Sequence, residues 1–596
     1  MRLLAVGLLL GAWLDAQIPG ISIVHATIVD GTGAAPFVGT VVIRGERIAI
    51  VEKGIAVPAD TFVIDGRGYT LTPGFFDLHT HLPYSAVGGL SGDWGKVLKA
   101  YLMCGVTSVV DFGTYPETFE PMRRLLREGV VVGPRLNLAA RITTPGGHGA
   151  EGGRGDFFSL EVTTPAEARA AARKWLAYRP DAIKVFTDGW RYGTGPDMTS
   201  MEEETLAAIV KEAHAQGVEV LTHTVSLAKA KIAARAGVDV IAHGIGDAPA
   251  DGELIGLLRK HGTTYAPTLA VYEWKRGPTA PLLNELLEPA AWKIADARRT
   301  DSEASPARQR RWSHLMGNVR LLREAGARFG VGTDAGVTGT YHGWSTLREM
   351  ELLVSGGLTP LEALTAATGN SAKALDVDSE HGTIAVGKLA DLLLIEGVPH
   401  ENIRDVERVR RIWLGGQEID RARMKEAIAH SEMTPIPARR AQALIDDMES
   451  ERTSVDTLRV NATDADHDHS KMMFGRVLRF EDNHAISIQA RMAEKTRPFA
   501  LLWFPLSKGG VEPVDASGFR GVEFEARGEG EYRLVMQRRG VRGFRHPDAR
   551  FPATYKWTTI QVTFPAPMTD LQSLGFEIAR KAGEWAWLEL DNLRFY

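Results

Sequence analysis

At 596 residues the chain is too long for a single hydrophobic core and is expected to hold two or three domains, and 44% apolar with 24% charged residues make it globular. Lys and Arg total 69 against 74 Asp and Glu, a net charge of -5, so nothing in the charge balance suggests a polyanion such as nucleic acid as partner. One cysteine, Cys104, excludes an intramolecular disulfide and a thiolate-rich zinc site.

The chain opens MRLLAVGLLLGAWLDAQ, with one positive charge at Arg2, an apolar stretch from Leu3 to Trp13, and then Ala16. A run of roughly ten apolar residues is too short to span a bilayer and fits a secretory signal over residues 1–16, so a periplasmic or secreted protein is expected, without a membrane anchor. Residues 17–72 hold short β-branched runs broken by Gly and Asp turn signals, which read as hairpins. A matching β stretch, GTIAVGKLADLLLIEG then VRRIWLGGQEI, falls within residues 376–420. The two flanks are expected to pair into one small β-sandwich.

Between the flanks, residues 73–375 alternate apolar runs with helical periodicity about every thirty to forty residues, as a (β/α)8 TIM barrel requires. The strands read PGFFDLHTH, TSVVDFGT, RLNLAARIT, AIKVFTDG, VEVLTHT, VDVIAHG, TYAPTLAV and RFGVGTDAG. The helix in SMEEETLAAIVKEAHAQG takes Ser200 as its expected N-cap. A helical insertion from about Glu273 to Arg320 is expected to cap the barrel.

Five of those strands end in a candidate metal ligand. His79 and His81 stand two apart, so both imidazoles can leave one face of a strand. Lys184, His223, His243 and Asp334 close four further runs. Catalytic groups of such barrels sit at the C-terminal strand ends, where all six fall. A divalent ion there would lower the pKa of bound water from 15.7 to roughly 7, and Asp334 could accept its proton. Taken singly, each residue has a plainer reading: His223 or His243 as a core histidine, Lys184 paired with Asp188, Asp334 as a helix cap.

On LTPGFFDLHTH, AIKVF, HT, AHG, GTDAG and LTPLEALTAATGNSAKAL, the chain resembles the amidohydrolase superfamily, within it the imidazolonepropionase-like and Xaa-Pro dipeptidase-like group. The resemblance implies His79 and His81 on one metal, His223 and His243 on a second, and Asp334 on the first metal handling the proton. It places Lys184 where relatives carry a lysine whose carbamate bridges two metals. One or two divalent ions follow, zinc by default. The loop TTPGGHGAEGGRGD resembles the GGHG loop of the dipeptidase-like relatives, which implies that His148 faces substrate and steadies the oxyanion; as a solvated loop residue it would do neither. His342, Arg191 and Tyr192 are further candidates for binding substrate, with Arg141 and Arg154 on nearby loops.

Residues 421–460 read as a charged, helix-prone linker, and residues 461–596 as a C-terminal β-sandwich or jelly roll of eight or so strands. FRGVEFEARGEGEYRL and LELDNLRFY resemble the intermediate-associated protein family of respiratory complex I, a galactose-binding-like jelly roll. Trp503, Trp585 and Trp587 could form a sugar platform or a core, and DHDH at 466–469 a cation loop. The sequence therefore points to a metal-dependent amidohydrolase that cleaves an amide-type C–N bond of a dipeptide, acyl-amino acid or similar small molecule. It leaves open a lactone, ester or cyclic-amide hydrolase, a polymer- or carbohydrate-binding protein with an inactive barrel, and a homo-oligomer.

Overall fold

The computed structural model describes residues 20–54, 57–83, 93–150, 157–189, 199–273, 281–286, 305–337, 339–429, 433–464, 469–541 and 545–596. The leader, Arg154, Arg191, Tyr192 and residues 466–468 of DHDH lie outside them, as does most of the expected insertion. Of that insertion, Pro281–Leu286 and the 19-residue helix Pro306–Glu324 are described. Among the described residues no helix is long and apolar enough to cross a membrane.

Eight parallel strands curl side by side: β1 (Phe75–Thr80), β2 (Val106–Asp111), β3 (Arg135–Thr143), β4 (Ala182–Phe186), β5 (Glu219–His223), β6 (Val240–Ala242), β7 (Thr264–Ala266) and β8 (Arg328–Phe329). The short strand Ser159–Glu161 adds to β3. Parallel strands covered on both faces read as continuous apolar runs, which is why these segments stand out in the sequence. β8 is only two residues long because the chain turns irregular at Gly330. It nevertheless closes on β1, with Leu78 N donating to Val331 O (2.8 Å), Asp334 N to His79 O (2.8 Å) and His81 N to Ala335 O (2.7 Å). The arrangement is that of a (β/α)8 barrel. Phe76, Leu78, Val110, Phe112, Ala139, Ala182, Leu221, Val240 and Ala266 form one buried cluster from seven strands, joined by Ala372, Ala374 and Leu375.

Local capping rules account for some of the surrounding helices and not for others. Pro165–Leu176 opens with a complete capping box between Thr164 and Glu167, and Pro165 occupies its first turn. The helix expected to start from Ser200 instead runs Glu203–His214 behind Glu202, and Ser200 Oγ accepts from Gly189 N (2.9 Å). Ser200 thus fastens the end of the β4 loop rather than capping the helix.

The two flanks of the barrel share one eight-stranded sheet, joined where Tyr69–Pro73 runs antiparallel to Leu392–Glu396. Its own core gathers Ile23, Val41, Leu71, Leu392 and Trp413. Arg135 at the start of β3 ties this sheet to the barrel through Asp391, with Nε and Nη2 donating at 2.7 and 3.1 Å.

Among the described residues, the expected helical linker is helical over Arg421–Ala429 only; from Arg439 the chain already supplies short strands to the C-terminal sheets. Those are a seven-stranded and a six-stranded sheet, and Ile486, Ile488, Phe524, Leu534, Phe551 and Phe576 come from both to build one core. Trp503 is fully buried and Trp585 is 70% exposed, so the three tryptophans do not form one exposed platform. The C-terminal part packs on the barrel: Phe158 and Tyr115 are buried with Val460, Leu501 and Trp503, and Tyr115 Oη donates to Gly509 O (2.9 Å). Arg452 reaches the buried Glu117 with two bonds, 3.1 and 2.7 Å.

Candidate metal centre

Strand alternation explains how the ligand candidates reach one place. Ala182 and Leu221 belong to the barrel's inner cluster, so Lys184 and His223, two residues on, leave the same faces one layer higher. His243 follows β6 on the opposite parity and returns to the centre through a left-handed backbone (φ 76°). Asp334 does the same after β8 (φ 59°). Such conformations cost non-glycine residues free energy and persist where the surroundings hold them. In β1 the register shifts between Asp77 and Thr80, beside His79, and a shift of this kind re-aims side chains.

The result is a tight group of side chains. His79 Nε2 and His81 Nε2 lie 3.3 and 3.0 Å from Asp334 Oδ1, and Lys184 Nζ lies 3.4 Å from His79 Nε2. One ligand atom from each of His79, His243 and Asp334 falls within 4.8 Å of the others. The rings of His223 and His243 are 4.4 Å apart, and those of His79 and His243 4.6 Å. His148 joins the far side, its ring 4.3 Å from His223 and 5.1 Å from Phe186.

Burial governs the protonation of this group. His79, Lys184 and His243 are at most 3% exposed. Burial, then the neighbouring Lys184, brings the His79 imidazole down to about 3. Burial likewise lowers His223 and His243 well below their ordinary values and takes Lys184 well below the usual lysine range. Burial alone would raise Asp334, yet the histidines around it hold its carboxyl well below the usual range. One carboxylate among neutral imidazoles and a neutral amine is a donor set suited to a divalent ion. The imidazole nitrogens His79 Nδ1 and His223 Nε2 are buried without a hydrogen-bond partner, which fits residues arranged for a ligand other than protein.

The plainer readings of two residues do not match their surroundings. Asp188 accepts from Ser226 N and Oγ, while Lys184 Nζ meets His79 and the face of Phe112 at 4.3 Å. The helix after Asp334 starts at Trp344 behind Gly343, so Asp334 does not cap it. His342 Nε2 donates to His81 O (3.0 Å) and its ring meets Tyr101, an engagement with the backbone behind the ligand. Arg141, expected on an exposed loop, is buried on β3: it donates to Phe112 O (3.1 Å) and lies 4.2 Å over the Phe158 ring.

Several supporting residues went unnoticed in the sequence. Asp77 accepts from His79 N, Thr333 N, Thr333 Oγ1 and Thr346 Oγ1, locking β1 to the β8 end, and burial pushes its carboxyl up to about 7. Its signal was an acid inside the apolar run GFFDL. Thr268 Oγ1 lies 2.9 Å from His243 Nδ1, a contact across 25 residues that no local pattern announces. A second group of metal-type side chains, His214, Glu219 and Asp239, lies at the opposite end of the barrel, where β5 and β6 begin.

Residues 70–419 match the model of the amidohydrolase family. The chain belongs to that family. It is a hydrolase acting on C–N bonds, in a family that typically depends on divalent metal. This amidohydrolase is 25% identical to the ochratoxinase of Aspergillus niger over 398 residues, 58% of this chain and 75% of the relative. It is 26% identical to the imidazolonepropionase of Chromobacterium violaceum over 365 residues, 57% and 80% of the two chains. The crystal structure of a Xaa-Pro dipeptidase with methionine bound in its active site superposes with a TM-score of 0.55 at 25% identity, covering 67% of this chain and 99% of the other. The matched region ends before the C-terminal sheets.

Proposed function

We propose that this amidohydrolase is metal-dependent and cleaves an amide-type C–N bond of a dipeptide, acyl-amino acid or similar small molecule. The observation that carries the reading is the convergence of His79, His81, Lys184, His223, His243 and Asp334 at five strand ends, with ligand atoms of His79, His243 and Asp334 within 4.8 Å of one another and His81, Lys184 and His223 in contact with them. His79, His81 and Asp334 would hold one ion, His223 and His243 a second. A divalent ion in such a site acidifies water to a pKa of about 7 and polarises a carbonyl. Zinc suits the imidazole and carboxylate donors.

Lys184 enters this scheme through its burial. As a neutral amine its Nζ would add to carbon dioxide and release one proton, and the resulting carbamate would supply an anionic ligand to the site. Asp334, kept ionised, takes the proton of the attacking water and returns it to the leaving nitrogen. His148, beside His223, donates to the carbonyl oxygen as negative charge gathers there. Dipeptides are favoured by the similarity to a Xaa-Pro dipeptidase. A cyclic amide is the second reading, favoured by the similarity to an imidazolonepropionase. The C-terminal sheets we read as a galactose-binding-like jelly roll, whose outer cleft of about 850 Å³, lined by Arg533, His546, Asp548 and Arg550 among others, would be the place for a carbohydrate.

Elemental analysis of the purified protein tests the metal, and a panel of dipeptides and acyl-amino acids assayed for amine release tests the chemistry. About two ions per chain, falling to one or none in Lys184→Ala, together with loss of turnover in Asp334→Ala, is the expected result. A protein that takes up no ion when metal is supplied, or an Asp334→Ala variant that keeps its turnover, would overturn the reading.

A further inference from the structure

The turn after β7 is held from behind by a single helix. Thr268 adopts a left-handed backbone (φ 49°) just before the one-turn helix Leu269–Tyr272. A β-branched residue reaches that region only at a cost and stays there only if its surroundings hold it. Two neighbours on the helix Trp344–Gly356 supply the hold. Glu349, fully buried, accepts Leu269 N at Oε1 (2.8 Å) and Ala270 N at Oε2 (2.7 Å). Arg348 donates from Nε and Nη2 to the two carboxylate oxygens of Glu273 at 3.1 and 2.6 Å. Both ends of the turn are therefore fastened to consecutive residues of one helix.

Burying a carboxylate against amides alone is expensive, and here burial pushes Glu349 up to about 8. The neighbouring guanidinium of Arg348 is engaged by Glu273 and Glu351. What the fastened turn presents to the barrel is Thr268 Oγ1, 2.9 Å from His243 Nδ1, with the Tyr272 ring 6.2 Å from the same imidazole. With Nδ1 bonded to the hydroxyl, Nε2 is the nitrogen left to the group shared with His79 and Asp334. A ligating histidine needs that division of its two nitrogens.

We infer that Glu349 is a positioning residue of the metal centre, acting through the Leu269–Tyr272 turn and Thr268 to set the orientation and tautomer of His243. The inference rests on the metal reading above and deepens it, since it places part of the metal's affinity on a helix that contributes no ligand. Arg348 pins the far end of the same turn and completes the clamp.

Cobalt(II) is the probe. Full-length protein is stripped with chelator and titrated with CoCl2, following the visible ligand-field bands and the competition with a chelator of known affinity; unfolding of the metal-free protein is recorded alongside. Loss of a partner behind a metal ligand typically weakens binding about 10- to 100-fold. Glu349→Gln and Thr268→Val are each expected to lose affinity in that range with altered bands, and Thr268→Ser, which keeps the hydroxyl, to stay within a few-fold of wild type. Wild-type affinity and bands in both Glu349→Gln and Thr268→Val, even with a lower unfolding temperature, would make the clamp merely structural and overturn the inference. A loss in Glu349→Gln alone would overturn the route through Thr268. If Glu349→Gln fails to fold, the contrast between Val and Ser at position 268 decides. A wild-type protein that binds no cobalt would instead sink the metal reading, a different failure from unchanged variants.

Discussion

Asp391 offers a quantitative test of how the flanking sheet is fastened to the barrel. It is 8% exposed and accepts from Arg135 Nε and Nη2, Gly415 N at 2.7 Å and His381 Nδ1 at 3.2 Å. Burial alone would raise its pKa, but His381, Arg135 and Gly415 outweigh it and pull the carboxyl from 3.8 down to about 2. That depression corresponds to roughly 2 kcal/mol of stability at neutral pH. The carboxylate is preferred in the folded state, so the contribution is complete above the unfolded pKa and fades as pH falls through the folded one. By pH 3 about 1 kcal/mol of it should be gone. Asp391→Asn should therefore be less stable than wild type by about 2–4 kcal/mol at pH 7, the upper figure including an Arg135 left without its anion. Urea unfolding followed by circular dichroism, at pH 7 and pH 3, measures both gaps. A gap that does not narrow at pH 3, or no gap at pH 7, would refute the assignment of this stability to the carboxylate charge.

Lys184→Met replaces a fully buried amine by an apolar chain of similar length, so the metal-free protein should unfold at the same or a higher temperature while its metal content falls; a lower unfolding temperature with metal content intact would contradict the role given to Lys184. Gly149 has φ +91° and a Cβ there would meet the Phe186 ring at 2.5 to 2.8 Å, so Gly149→Ala should displace the loop that carries His148. Once a substrate is found, that variant should lose kcat by about 10-fold or more with metal content unchanged, the strain being of order 1–3 kcal/mol; wild-type kcat would detach His148 from the reaction.

What could be read from the sequence was what repeats at short range. Buried parallel strands are continuous apolar runs, so all eight barrel strands were visible, and the residue closing each run was a natural place to look for ligands. His79 lies on β1 and His81 one residue past its end, and their spacing was enough to pair them. The fastening of His243 was invisible, because Thr268 lies 25 residues away and Glu349 80 residues beyond Leu269, and such contacts leave no periodicity. Arg141 misled for a related reason: an arginine beside a Gly-rich segment reads as a loop residue, whereas here it lies within a nine-residue strand with its guanidinium stacked on Phe158 and Phe186. Ser200 followed the N-cap rule, but its hydroxyl went to a loop amide instead. Trp503 could not be assigned as core or platform from its strand alone, since both faces of FALLWFPL are apolar.

The antiparallel pair formed by Tyr69–Pro73 and Leu392–Glu396 has a bearing on how the protein is made. During synthesis the early strands leave the ribosome long before their partner exists. At about 5–20 residues per second, the stretch between Pro73 and Leu392 takes roughly 15 to 60 seconds to translate. For that interval the edge of Tyr69–Pro73 is unpaired, and Ile23, Val41 and Leu71 lack the cover later given by Leu392 and Trp413. Nascent chains of this protein should therefore present a sticky β-edge to chaperones for as long as the barrel is being synthesised, and lose it when the returning strand docks.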